Sequence, residues 1–361
     1  MQKRQQYHSK NDLMQRIKLA PDYEISRVIR GGWQMATGHG QLRSDDPVAD
    51  MVAFADAGIT TFDCADIYTG VEELIGSFRL RYRDLSGEEA LSRIKVHTKF
   101  VPDLDMLKRI NKSYVESVID QSLRRLNLDR LDLVQFHWWD YEAPMWLETA
   151  GWLNELRLAG KIHKVSATNF DTDRMLHMVN AGVPLTSMQV QYSLLDARPA
   201  KRMVEAASAN NVALFCYGTV AGGFLGDRWL GQPEPDDFEN RSLIKYKLII
   251  DDIGGWDFFQ ALLRTLRAVA DRHGVDIATI ASAAMLPKKA VAATIVGARN
   301  RSHLASNLAI SSVSLTPRDL AGIDAVLAEA KELEGDVYTL ERDRYGRHGQ
   351  IMKYNLNKGA A

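Results

Sequence analysis

The 361-residue chain has only two cysteines, Cys64 and Cys216, far apart in the sequence. That excludes a disulfide framework and fits a reducing compartment. No run of about 18 apolar residues occurs anywhere, so no membrane-spanning helix is expected. The opening MQKRQQYHSKNDLMQRIKLA lacks the apolar stretch of a signal peptide and is poor in serine for a transit peptide, so the expected location is cytoplasmic. A charge excess is missing too: 45 Lys and Arg face 46 Asp and Glu. No whole-molecule field therefore favours nucleic acid or an anionic membrane as partner. There is no HxH or HExxH and no GxSxG, which argues against a metal-dependent hydrolase and a serine hydrolase. No metal is expected. Assembly into a homo-oligomer stays open.

What is present is ordinary globular usage, with 46% hydrophobic and 25% charged residues. Short β-branched or apolar runs recur at 25–33, 60–65, 94–100, 131–139, 161–170, 187–194, 213–219 and 293–298. Helical patterns separate them. DPVADMVAFADAG (46–58) opens on an Asp and stops at a Gly, and SYVESVIDQSLRRLNL (113–128) repeats its apolar residues at three and four. WLNELRLAGK (152–161) ends at Gly160, a favourable helix stop. Eight strands alternating with helices predict a single-domain (β/α)₈ TIM barrel of the α/β class. The expected layout is an N-terminal extension (1–22), the barrel (23–335) and a C-terminal tail (336–361). A long polar stretch at 222–257 is expected as a loop or lid.

In such a barrel the working groups stand at the C-terminal ends of the strands. Asp63 ends the second run, with Tyr68 five residues on; Lys99 ends the third, and His137 the fourth, in LVQFHWWDY (133–141). Alone, His137 is more often a core histidine than a catalytic group, with a metal ligand as the third reading. Together the four suggest proton transfer to a carbonyl oxygen. A tyrosine with a pKa of roughly 10 is a weak acid near neutrality, and a Lys99 ammonium would lower it while Asp63 orients the lysine. Tyr68 then serves as general acid or base, and His137 fixes the oxygen. A Schiff-base aldolase using Lys99 is the rival chemistry, although it leaves Asp63, Tyr68 and His137 unexplained.

DCADIY (63–68), HTK (97–99), LVQFH (133–137), TNF (168–170), QVQYS (189–193) and GARNRSHLASN (297–307) resemble the aldo-keto reductases, over about 25–330 and in the family's order. Details such as FHWWDY and YGTVAGGFL look more like a little-characterised plant and microbial branch. The resemblance implies that Asp63, Tyr68, Lys99 and His137 form a catalytic tetrad. A nicotinamide cofactor would deliver hydride to an aldehyde or ketone. It further implies that Gly32 and Trp33 lie beneath the nicotinamide ribose beside Asp63. Thr168, Asn169 and Gln189 would hold the carboxamide, Tyr217 would stack on the ring, and Gly218 and Thr219 would begin the pyrophosphate loop. The family needs no GxGxxG, and none is present. Some relatives are cofactor-bound regulatory subunits instead of enzymes, so a complete tetrad argues for turnover without proving it.

At the adenosine end, Arg299, His303 and Asn307 fall four apart on one helical face. The Lys-Ser pair of many NADPH-specific members is replaced by Gly297 and Ala298, yet Arg299 and Arg301 suit a 2′-phosphate, and no acidic residue stands ready for a free 2′-hydroxyl. NADP(H) is the expected cofactor, with NAD(H) kept open. Trp33, Gln34, Trp138 and Trp139 are the expected pocket walls, with Trp229 or Trp256 arriving from the long loop.

Overall fold

The computed structural model describes residues 14–36 and 44–357; the ends of the expected extension and tail (1–13 and 358–361) lie outside them. Eight parallel strands close into a barrel. They are β3 (Val28–Gly31), β4 (Thr61–Asp63), β5 (Lys95–Phe100), β6 (Leu131–Phe136), β7 (Ile162–Thr168), β8 (Leu185–Gln191), β9 (Ala213–Tyr217) and β10 (Val291–Gly297), which returns to pair with β3. Each expected run overlaps one of them; β8 and β10 each begin two residues before the expected start. The fold is a (β/α)₈ TIM barrel.

The helices start where the chain supplies a cap. Asp46 accepts from Ala49 N at 2.9 Å and Asn111 from Tyr114 N at 2.9 Å, opening Pro47–Asp56 and Lys112–Leu126. The helix expected from 152 begins earlier, at Trp146, and runs to Leu158.

Strand alternation sorts the interior. Ile29, Leu133, Phe215, Ala293 and Ile295 make one buried cluster inside the barrel, whereas Val28 and Val296 join the cluster between strands and helices. Period two then aims Gln135 and His137 inward with Leu133. Below, the wall is apolar around a buried His97. Above, it turns polar.

Two regions differ from the expectation. Residues assigned to the extension form β1 (Arg16–Ala20), which pairs antiparallel with β2 (Tyr23–Ser26). Tyr23 and Ile25 of this hairpin join the interior cluster and close the barrel's N-terminal end, with Tyr23 stacked on His97 at 6.1 Å. The stretch 222–257 contains a helix, Arg241–Ile253, and a second begins at Gly255. Its polar look came from one solvated face, because Leu243, Tyr246, Ile249, Ile250 and Ile253 are buried.

Candidate functional site

Asp63, at the end of β4, is the hub. One oxygen takes the Lys99 ammonium at 2.6 Å, and the other accepts from Gln135 Nε2 at 2.8 Å and Gln189 Nε2 at 2.9 Å. Lys99 also donates to the Cys64 carbonyl at 2.8 Å. Register sets this up: Asp63 lies beside His97 on β5, and Lys99 beside Gln135 on β6. Burial alone would lower Lys99, but Asp63 and Tyr68 outweigh it and leave the pKa raised. Lys99 is therefore an ammonium at neutral pH. Gly32 donates to the Asp63 carbonyl at 2.7 Å, and a Cβ there would come within 2.7 Å of the same oxygen, so only glycine fits.

Tyr68 follows in the loop after β4, half-buried, with its ring 4.9 Å from Trp33 and 5.1 Å from the Lys99 ammonium. Burial pushes its hydroxyl up to about 12, and the pull of Lys99 does not reverse this. The expectation of a lowered pKa is corrected here: desolvation exceeds the lysine's field. Tyr68 is firmly protonated.

His137 lies just past β6, buried, with Nδ1 3.2 Å from the Thr168 carbonyl. A carbonyl oxygen only accepts, so Nδ1 carries the hydrogen. Burial lowers the imidazole to about 3, which keeps it neutral and leaves Nε2 as a bare lone pair. Nε2 is buried without a partner. It is an acceptor looking for a donor.

The structure thus brings Asp63, Tyr68, Lys99 and His137 to one end of the barrel. Beside them Thr168 Oγ1 contacts Gln189 Oε1 at 3.2 Å, and Asn169, at φ 62°, accepts from Tyr217 Oη at 2.8 Å. A left-handed non-glycine at this position is a strained feature held by its neighbours. Thr219 bonds Ser282 at 2.9 Å.

The expected walls divide. Trp139 lies against His137 at 4.2 Å, edge to face. Trp138 points the other way: fully buried outside the barrel, its indole donates to the carbonyls of Asp140 and Ala143. It is not a wall, because alternation turns it away from the interior. Gln34 packs onto Gly297, where a Cβ would meet its amide at 2.6 Å; Gln34 fills the space and so explains the glycine. Trp229 and Trp256 pack on each other and on Phe224 at the helix following the long stretch, with the Trp256 indole donating to the Gln232 carbonyl.

Three features escaped the sequence reading. Tyr338 sets its ring 5.7 Å from His137, edge on, and Arg342 donates to the carbonyls of Trp138 and Asn169 at 2.7 Å each. No motif marks either residue, since they lie some 200 positions from what they touch. Asp50 is the third. It pairs with Arg301 at 3.2 Å, so an acidic residue does stand beside the residues expected at the adenosine end, already engaged. Nearby, Asn307 Nδ2 is buried without a partner, and Arg299 lies close enough to depress His303, whose pKa burial already lowers. An unpartnered buried amide donor on a segment that also carries two arginines fits a nucleotide carrying phosphate.

Residues 27–328 match the sequence profile described as the aldo/keto reductase family. The chain is 24% identical over 307 residues to flagellar radial spoke protein 5 of Chlamydomonas reinhardtii, covering 67% of this chain and only 58% of that protein's length. It is 25% identical to aldo-keto reductase YhdN of Bacillus subtilis, covering 84% of this chain and 90% of the relative. Among solved structures, glycerol dehydrogenase AKR11B4 from Gluconobacter oxydans shares the fold with a TM-score of 0.70 at 23% identity, over 87% of this chain and 95% of that one.

Proposed function

Because the chain belongs to the aldo/keto reductase family, we propose that it is an NADP(H)-dependent reductase of a small aldehyde or ketone, with Tyr68 as the proton donor. One observation carries this reading: the half-buried Tyr68 ring lies 5.1 Å from a lysine ammonium that Asp63 holds at 2.6 Å. When bound, the nicotinamide supplies the hydride. The residues handle the proton. Tyr68 gives its hydroxyl hydrogen to the carbonyl oxygen, and Lys99, 5.1 Å from the ring, offsets the tyrosinate charge left behind. His137, neutral and bare at Nε2, accepts the hydroxyl of the alcohol and so fixes where that oxygen sits.

In this reading Thr168, Asn169 and Gln189 hold the carboxamide, Tyr217 faces the ring, and Gly218 and Thr219 line the diphosphate. Arg299, Arg301, His303 and Asn307 take the adenosine end. Their two arginines favour NADP(H), while Asp50 would serve a free 2′-hydroxyl if Arg301 released it. An aldolase mechanism is disfavoured, since Lys99 is charged and has no lone pair for attack. Among the described residues no helix is long and apolar enough to cross a membrane; a cytoplasmic setting is part of the proposal.

The test is NADPH consumption with a panel of aldehydes and ketones, repeated for Tyr68→Phe. The variant should lose about 100-fold or more of kcat while binding NADPH normally, the usual worth of a general acid. A variant as fast as wild type, or a wild type that reduces nothing on the panel, sinks the reading.

A further inference from the structure

The backbone ladder between β6 and β7 ends at Phe136 and Ala167. Just beyond it, each chain turns to its other neighbour. His137 N donates to the Phe100 carbonyl of β5 at 3.0 Å, and Asn169 N to the Gln189 carbonyl of β8 at 3.0 Å. His137 and Asn169 therefore stand on either side of the place where the ladder stops. Side chains bridge it. His137 Nδ1 reaches the Thr168 carbonyl, and Tyr141 Oη accepts from Asp171 N at 3.1 Å. A third link comes from the C-terminal segment. Arg342 donates through one fork nitrogen to the Trp138 carbonyl and through the other to the Asn169 carbonyl, at 2.7 Å each.

Aromatic faces flank these two bonds, with the guanidinium 4.2 Å from the Tyr141 ring and 5.3 Å from the Tyr338 ring. The nearby carboxylates are engaged by other arginines: Glu341 by Arg198, Asp140 by Arg344 and Asp171 by Arg174. What Arg342 holds is main chain. A planar fork fixes two acceptors relative to each other, which the point charge of a lysine does not. One of the two residues held is Asn169, whose φ of 62° persists only where its neighbours enforce it. The Arg342 charge is also, after burial, the strongest influence keeping the His137 imidazole neutral. The Glu341–Arg198 pair, one residue back in the chain, seats the segment and Arg342 with it.

We propose that Arg342 is a positioning residue for hydride transfer. By joining the main chains of Trp138 and Asn169 it sets His137, which holds the carbonyl oxygen, in register with Asn169, which holds the carboxamide. This rests on the nicotinamide-dependent reading above. Reacting atoms must come within about 3–3.5 Å, and a misplacement of about 1 Å can cost on the order of 100-fold in rate. The frame is complete only while the C-terminal segment is seated.

The test compares wild type, Arg342→Met and Arg342→Lys in three measurements on the full chain. Without cofactor, hydrogen exchange of Arg342→Met should quicken at 137–141 and 169–172, with the amides inside β5 and β8 unchanged. NADPH affinity, read by tryptophan quenching, should stay within about threefold of wild type, whereas the single-turnover hydride step on an aldehyde that the wild type reduces should slow by about 10–100-fold. With 4-deuterated NADPH the isotope effect on kcat should rise, because transfer has become limiting. Arg342→Lys should remain slow, since it restores the charge without the fork. A hydride step as fast as wild type in Arg342→Met overturns the proposal. So does full recovery in Arg342→Lys, which would assign the effect to charge alone. A loss confined to NADPH affinity or to the KM of the aldehyde also overturns it, since Arg342 would then serve binding and not alignment. If Arg342→Met fails to fold, Arg342→Lys decides, and a wild-type hydride step there is the contrary result. A wild type that binds no NADPH defeats the reading underneath, whereas a competent wild type with indifferent Arg342 variants defeats this proposal alone.

Discussion

Two buried ion clusters lie at the C-terminal end of this barrel, and they are built differently. In the lower one, Asp63, Lys99, Gln135 and Gln189 all come from strand ends whose register brings them together. In the upper one, Arg198 joins Asp196 two residues away to Glu341, 143 positions on. The first is part of the barrel wall and cannot open without unfolding it. The second fastens a segment laid over the barrel and can part while the barrel stays intact. Similar chemistry thus gives a fixed floor and a detachable roof.

Breaking the floor should have the largest effect. Lys99→Met leaves the Asp63 carboxylate buried and unpaired, which costs about 3–5 kcal/mol. Thermal unfolding should show a lower Tm for the whole domain, with turnover lost as well. A Tm unchanged from wild type would mean that the pair is dispensable.

Glu341→Ala should do less. When the roof lifts, Arg198 regains water, which caps the loss below the figure for a sealed pair, at about 2–3 kcal/mol. Hydrogen exchange should rise across 336–357 and stay slow in the barrel strands. Acceleration in β5 and β6 equal to that of the tail would erase the distinction between floor and roof.

Acid separates the two more finely. His97 and His137 are held neutral at about 3 by burial, far below the unfolded value of about 6.5. Their contribution is full above pH 6.5 and drains away as pH falls toward 3. Burial alone would raise Glu341, but Arg198 and Lys245 hold it down at about 2. Its contribution is full above the unfolded value, near 4.3, and is lost as pH falls toward 2. The interior therefore weakens at milder acidity than the roof clasp. His97→Leu removes a ring with no hydrogen-bond partner on either nitrogen and should add about 1–2 kcal/mol at pH 6, with a larger gain at pH 5. A gain that does not grow on acidification would contradict the neutral-histidine account.

The floor was legible in the sequence and the roof was not. Period two and a strand's end suffice to place Asp63, Lys99 and His137 on one rim, because a barrel repeats its geometry eight times. Nothing local distinguishes Glu341 from any other carboxylate in GDVYTLERDRY; only the fold shows that it meets Arg198. Trp138 and Trp139, just past the end of β6, show the limit at closer range. Adjacent and identical, they go to opposite faces, and only the residue beside His137 on the inner side borders the site. The hairpin was hidden because RIKLA and YEIS, read beside the basic N-terminus, lack a run long enough to stand out. Desolvation at Tyr68 was invisible for another reason: a neighbouring lysine can be read from spacing, but the depth of burial cannot.

The hairpin plug has a consequence for traffic. With Tyr23 and Ile25 packed into the interior cluster, the hairpin closes the lower end of the barrel among the described residues. Tyr68 and His137 therefore lie at the end the hairpin leaves uncovered, where the segment carrying Tyr338 is laid.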